Sequence, residues 1–298
     1  MIMRQFHAAV LAAALLAAFP VAAQTQRGVP DFSGVWHRWF RPGLGPSAFG
    51  PGPLINRSLF RGVSDYNQLV GDYTNPILKP EAAAIVKQLG ELSLKGIGYP
   101  TPSNQCWPGG VPYVFWNFGL QIVQQPDKVT MLYLHDHEVR QVRLNQPHPV
   151  HMAPSWYGDS VGHYEGDTLV IDTVGVKRGP YPMLDMYGTP FSDALHVVER
   201  YRLVDYATAR AAIEREAKIN VTYPPGLNAI EFDPGYRGKH VQLEITVDDP
   251  KLFTTPWTSV MIYGRPTGNW IEHVCAENMQ EYYNDRTSSV PTAATPDF

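Results

Sequence analysis

The side chains suited to acid–base chemistry crowd into one stretch and the segment that follows it. Between Trp156 and Thr173 the chain carries His163, Glu165, Asp167 and Asp172, and Asp193, His196, Glu199 and Arg200 come soon after. An imidazole beside a carboxylate exchanges protons near neutral pH, and a guanidinium can steady a developing oxyanion. His163 or His196 is the candidate base or acid, Asp172 or Glu199 the orienting carboxylate, and Arg140 or Arg200 the oxyanion stabiliser. Such groups need no cofactor to carry out elimination, hydration or isomerisation. Each also has a structural reading. Asp167 suits a Glu-Gly-Asp turn and Asp193 a loop held by side-chain-to-backbone bonds. Glu199, among apolar neighbours, suits a buried pair with Arg140 or Arg200.

Two other chemistries are open to the sequence. His135-x-His137 and His148-x-x-His151, with Glu138 nearby, have residue types that ligate metals. Asp136-His137 reads as a turn, however, and Pro149 interrupts the second pair, so no metal is assigned. Pure ligand binding is the other. Aromatic residues make up 12% of the chain, with seven Trp, enough to line a barrel mouth with Trp39, Trp107, Trp116, Trp156 and Tyr181. The assigned ligand-binding positions are Trp116, Tyr133, His135, Trp156 and Tyr157. No Gly-x-Ser-x-Gly elbow, Walker loop or dinucleotide fingerprint is present, so serine-hydrolase, nucleotide and nicotinamide chemistry lack support.

The elements that must position these residues are mostly strands. Gly119 to Gln125, Val129 to His135 and Glu138 to Leu144 are separated by short turns, which predicts a meander. Tyr157 to Thr173 reads as a tight hairpin about Gly166. Strand parity assigns Glu165 and Asp167 to the turn and leaves His163 and Asp172 as inward candidates that need partners from the His196–Arg200 strand. From Asp193 to Val204, His196, Val198, Arg200 and Arg202 share one face, with Val197, Glu199, Tyr201 and Leu203 on the other. Val241 to Val247, Trp257 to Tyr263 and Trp270 to Cys275 supply the last strands. Lys79 to Lys95 reads as a helix with Pro80 in its first turn and an Ile85, Leu89, Leu92 stripe to pack on the barrel. Ala207 to Lys218 reads as a second helix with Thr208 as N-cap, inside an excursion that runs to residue 239. About ten strands and few helices predict an all-β fold: an antiparallel meander closing into a lipocalin-like barrel, or a two-sheet sandwich.

Residues 1–23 read as a cleaved signal peptide, with Arg4 before an apolar run and Val21-Ala22-Ala23 as the cleavage site. That implies a periplasmic or secreted protein, with residues 24–286 as one barrel domain and 287–298 as a flexible tail. The apolar run is too short to span a bilayer. The net charge of −4 gives no basic field for nucleic acid. A small hydrophobic, aromatic or glycosidic molecule is the expected partner, and oligomeric state is left open. The two cysteines, Cys106 and Cys275, read as a disulfide in an oxidising compartment. Closing so long a loop contributes about 3–5 kcal/mol on the chain-entropy account.

Asp31 to Trp36, Cys106 to Pro112, Tyr157 to Thr173, Ser192 to Tyr201, Asp248 to Trp257 and Cys275 to Asn278 together resemble a group of exported bacterial proteins. Its central motif is Ser-Val-Gly-x-(Trp/Tyr)-Glu-Gly-Asp-Thr-Leu-Val. The resemblance implies a lipocalin-like fold and no particular activity. Two departures stand out: the insertion from Ala207 to Lys239, and His135-Asp136-His137 where a Glu-x-Asn type of sequence is expected.

Overall fold

The computed structural model describes residues 28–38, 43–60, 63–65, 67–116, 119–134, 138–218, 233–268 and 274–275. The signal-peptide and tail expectations, Trp39, His135, His137 and most of the expected strand from Trp270 to Cys275 lie outside them.

One nine-stranded sheet makes the body of the protein. Its strands are β1 (Gly34–His37), β4 (Gly119–Gln124), β5 (Lys128–Tyr133), β6 (Val139–Leu144), β7 (Asp159–Glu165), β8 (Thr168–Val174), β9 (His196–Val204), β10 (His240–Asp248) and β11 (Trp257–Tyr263), in that spatial order. A separate two-stranded ribbon joins β2 (Leu59–Phe60) and β3 (Val63–Ser64). The ends of the large sheet meet where His37 and Gly264 exchange two backbone hydrogen bonds of 2.8 Å. The fold is therefore a nearly closed barrel, not a two-sheet sandwich.

Every neighbouring strand pair but one is antiparallel. β6 and β7 run parallel, in register over two residue pairs, Arg143 with Val161 and Leu144 with Gly162. The expected meander breaks there because residues 145–158 carry the chain back along the barrel before β7 begins. Asn145 starts that return with a φ of 55° and donates its N–H to the Gly162 carbonyl at 2.7 Å. The β7–β8 turn is only Gly166-Asp167, and Gly166 takes a φ of 61°, which a side chain would strain.

Alternation decides what fills the barrel. In β9 the pattern runs half-buried, buried, half-buried from His196 to Tyr201, and Val197, Glu199 and Tyr201 pair with Val247, Ile245 and Leu243 of β10. Leu169, Ile171, Met131, Val142 and Met261 join them in one fully buried cluster. Each such side chain contributes about 1.5–3 kcal/mol relative to exposure. Trp36, from the Gly-x-Trp of the first strand, is buried in the same cluster. Its indole N–H donates to the Phe32 carbonyl at 2.7 Å, and the Arg265 guanidinium lies 3.7 Å from its ring centroid.

Among the described residues two α-helices lie outside the barrel. α1 (Pro80–Leu94) starts with proline and carries Glu81 in its first turn, both suited to a helix N-terminus. Its buried residues are Ala82, Val86 and Gly90. The Ile85, Leu89, Leu92 stripe is only half-buried, with Leu89 and Leu92 against the Tyr99, Tyr113, Trp116 and Met183 cluster, which corrects the expectation that it packs on the barrel; Ala82 and Val86 join the main core instead. α2 (Tyr206–Ala217) is capped by Asp205, not Thr208, since the Asp205 carboxylate accepts the Thr208 N–H. Ala209 and Ala212 pack on Ile262 of β11, and the Glu216 carboxylate bonds the buried Arg38 guanidinium. Cys106 and Cys275 stand at disulfide distance, with Cα atoms 5.4 Å apart.

Candidate functional site

The sequence-predicted residues separate into an interior group, two outer-face groups and a set of aromatics. The interior group is centred on Arg140 of β6 and Glu199 of β9. Their side chains are about 1% and 0% exposed and bond in a fork, at 2.9 Å from Nη1 and 2.6 Å from Nη2. Ser160 accepts from Arg140 Nε at 3.0 Å, and Thr173 from Nη2 at 2.7 Å. The Tyr201 hydroxyl donates to Glu199 at 2.9 Å. Burial works against the guanidinium's charge, and the Glu199 carboxylate more than offsets it, so the Arg140 pKa stands above its ordinary value. The expected pairing of Glu199 with an arginine is made, and its partner is Arg140. These lone pairs and N–H groups point at one another, which makes the cluster a buried internal brace with no reacting group turned to solvent.

His196 and Asp172 also come together, but on the outer face. Inward positions of β8 belong to Leu169, Ile171 and Thr173, so Asp172 points out, and the inward placement expected for Asp172 and His163 is corrected. His196 Nε2 meets Asp172 Oδ2 at 2.8 Å. From the 145–158 connection His148 reaches in between two carboxylates, Nε2 to Asp172 Oδ1 at 3.0 Å and Nδ1 to Asp159 Oδ1 at 3.1 Å. Arg143 then holds Asp159 in a fork of 2.9 and 2.8 Å. His148 thus stands between two carboxylates, one at each ring nitrogen.

The electrostatics follow from these contacts. The hydrogen bond to Asp172 raises the His196 pKa above its ordinary value, although partial burial opposes it. His196 and His148 together hold the Asp172 pKa down. Burial opposes the Asp159 charge, and the Arg143 and His148 hydrogen bonds outweigh that, so its pKa is lowered. The array is a hydrogen-bonded chain of imidazoles, carboxylates and a guanidinium on a partly open surface. His148 entered the sequence reading only as a metal candidate, and its link to Asp172 across 24 positions was beyond any local pattern. Among the described residues no group of three or more His, Cys, Asp or Glu could hold a metal ion.

The remaining assigned residues are dispersed. His163 is exposed and meets Glu165 at 3.0 Å; Arg200 donates to the same Glu165 at 2.7 Å. Neither is near Asp172 by any hydrogen bond or ion pair. Of the ligand-binding set, Tyr133 is buried inside the barrel, where burial pushes its pKa up to about 12. Tyr157 stacks on it with ring centroids 5.8 Å apart and donates to Glu138. Trp116 is buried beside Tyr113, Tyr99 and Met183. Trp156 is half-buried, edge-on to Trp107 at 5.2 Å and beneath the Lys177 ammonium at 4.7 Å.

A concave surface lies elsewhere, between α1 and the β8–β9 connection. This groove of about 590 Å³ has Ile85 and Leu89 on the helix side and Tyr181 and Met183 opposite. Arg178, Asp193, Lys251 and Glu81 supply its charges. It opens at the same end of the barrel as His196, because β8 ends, β9 begins and β10 ends there. Buried Asp185 shapes the connection from behind, accepting from Tyr187 N–H, Thr189 N–H and the Thr189 hydroxyl at 2.9, 3.1 and 2.6 Å. Burial pushes the Asp185 pKa up to about 6. Sequence reasoning named Tyr181 and treated the rest of the stretch as loop; the half-apolar stripe on α1 was the signal that a facing wall was needed.

No family model matches the chain, and no curated protein or solved structure matches it either.

Proposed function

We propose that this is an exported small-molecule-binding barrel, allied to the bacterial proteins that share its Ser-Val-Gly-x-(Trp/Tyr)-Glu-Gly-Asp-Thr-Leu-Val core, and that its ligand lies in the groove between α1 and the β8–β9 connection. One observation carries the reading. The groove's volume of about 590 Å³ falls within the range of about 300–1,000 Å³ typical of small-molecule sites, and its walls mix apolar side chains with a few polar ones. Inside the barrel, the Arg140–Glu199 cluster spends its polar groups on itself. Cysteines at disulfide distance support an oxidising compartment. Filling the groove tests the reading: Ile85→Trp should abolish binding of any ligand retained by protein isolated from its host, measured by native mass spectrometry. A retained ligand unaffected by Ile85→Trp would place the binding site elsewhere.

A second reading, acid–base turnover of the bound molecule without a cofactor, draws support from His148, Asp172 and His196. Two imidazoles share one carboxylate at the groove's end of the barrel, with His196 and Asp172 both partly exposed. In this reading His196 is the base or acid and Asp172 orients it. His196→Gln should then remove turnover while leaving ligand retention intact. Unchanged turnover in that variant ends the catalytic reading.

A further inference from the structure

The chemistry of the groove narrows its ligand. Its charged side chains balance, with Glu81 and Asp193 against Arg178 and Lys251. Asp193 and Lys251 are spent on each other at 2.5 Å. Among the described residues Glu81, Arg178 and the Tyr181 hydroxyl, in contrast, make no hydrogen bond or ion pair, and the Arg178 charge only acts on Asp193 from a distance. One wall therefore presents an uncommitted acceptor, the opposite wall presents an uncommitted five-donor fork, and a phenol that can do either stands beside the fork. Between them the lining is apolar, from Ile85 and Leu89 across to Pro180, Pro182 and Met183.

An anion or a cation would meet a field without net sign and would leave one of the two free charges unanswered. An oil-like ligand would leave both unanswered and strip them of water. A neutral polyhydroxylated ring answers all three groups. Neighbouring hydroxyls donate to a carboxylate and accept from a guanidinium, while the C–H faces lie on aromatic and aliphatic side chains. We infer that the groove binds a neutral glycoside, held by hydroxyl contacts to Glu81 and Arg178 with a sugar face against Tyr181. This rests on the groove reading above and adds the ligand class to it.

The test is equilibrium binding by ligand-observed NMR to the oxidised full chain. The probes are the 4-nitrophenyl β-D-glucoside, β-D-galactoside, α-D-mannoside and β-D-xyloside, with 4-nitrobenzoate and benzyltrimethylammonium as charged comparators. At least one glycoside should bind about tenfold or more tightly than either ion, and Glu81→Ala and Arg178→Ala should each weaken it by about tenfold, the scale of a hydrogen bond to a charged group. Both side chains are exposed at the groove rim, so folding is not at issue. Ile85→Trp should abolish the same signal. Preferential binding of either ion, lost in Ile85→Trp, would overturn the glycoside assignment and leave the groove reading standing. Glycoside binding that ignores Glu81→Ala and Arg178→Ala would also overturn it. Binding of every probe unchanged in Ile85→Trp, or no binding of any probe, would overturn both.

Discussion

Cutting the brace inside the barrel should be more harmful than removing it whole. Glu199→Leu strands the Arg140 guanidinium, whose remaining contacts are the hydroxyls of Ser160, Thr173 and Tyr133. Arg140→Met strands the Glu199 carboxylate with Tyr201 and Thr173. Both side chains are almost wholly out of solvent, so water cannot answer the orphaned charge. Loss of one member of such a pair costs about 3–5 kcal/mol, whereas replacing both with apolar residues removes the desolvation cost along with the attraction. The double variant should therefore be more stable than either single one, with a coupling energy of about 3 kcal/mol or more. Equilibrium urea unfolding of the four oxidised proteins, followed by tryptophan fluorescence, measures the cycle. With a denaturant slope of about 2–3 kcal/mol per molar, each single change should lower the midpoint by about 1 M or more. Single losses that simply sum to the double loss, or that fall within about 1 kcal/mol, would refute the reasoning.

The other expectations concern pH and the cysteine pair. The His196 pKa stands above its ordinary 6.5, so its bond to Asp172 stabilises the fold fully below that value and ceases to do so as pH rises through the elevated one. Asp172 stands below its ordinary 3.8, so the same bond is lost again as pH falls through the depressed value. His196→Gln should thus lower the urea midpoint most near about pH 5.5 and least near about pH 9; a pH-independent difference contradicts this. Asp185 behaves oppositely. Its raised pKa, about 6, means that stability declines as pH climbs from the ordinary 3.8 through about 6, so Asp185→Asn should exceed the parent by about 2–3 kcal/mol above that range and match it near about pH 4. Equal midpoints at about pH 8 would reject it. The Cys106–Cys275 pair spans 169 residues. Cys106→Ser with Cys275→Ser should lower stability by about 5 kcal/mol by the loop-entropy relation, checked by the same unfolding assay.

Much of the framework was legible because alternation is a local signal. β9 shows it most clearly: Glu199 alternates in phase with Val197 and Tyr201, which is enough to expect it inside and paired. β8 shows the limit. Thr168, Leu169, Val170 and Ile171 are all buried, so two apolar faces gave no clue to which side Asp172 takes. The parallel seating of β7 beside β6 depends on the path of residues 145–158, where Pro147, Pro149 and Pro154 mark only the absence of regular structure. His148 meets its partners through that path, and so the outer array was invisible as a unit. The groove was hidden for a related reason. Its walls come from α1 and from residues 178–193, distant in sequence, and neither wall reveals the other.

The pairing of the strands gives the barrel a mechanical grain. Most neighbours are registered over four to nine residue pairs, but β6 and β7 share two, and β1 meets the chain just beyond β11 through the single His37–Gly264 bridge. Two lines of weakness thus run down the wall, dividing the hoop into a plate of β1, β4, β5 and β6 and a plate of β7 to β11. Arginines clasp both lines. Arg140 and Arg143 reach from β6 to the second plate, and Arg265 reaches back to the Ser33 and Val35 carbonyls of the first. Pulled apart by force, the molecule should come open as two shells hinged at whichever clasp lets go last.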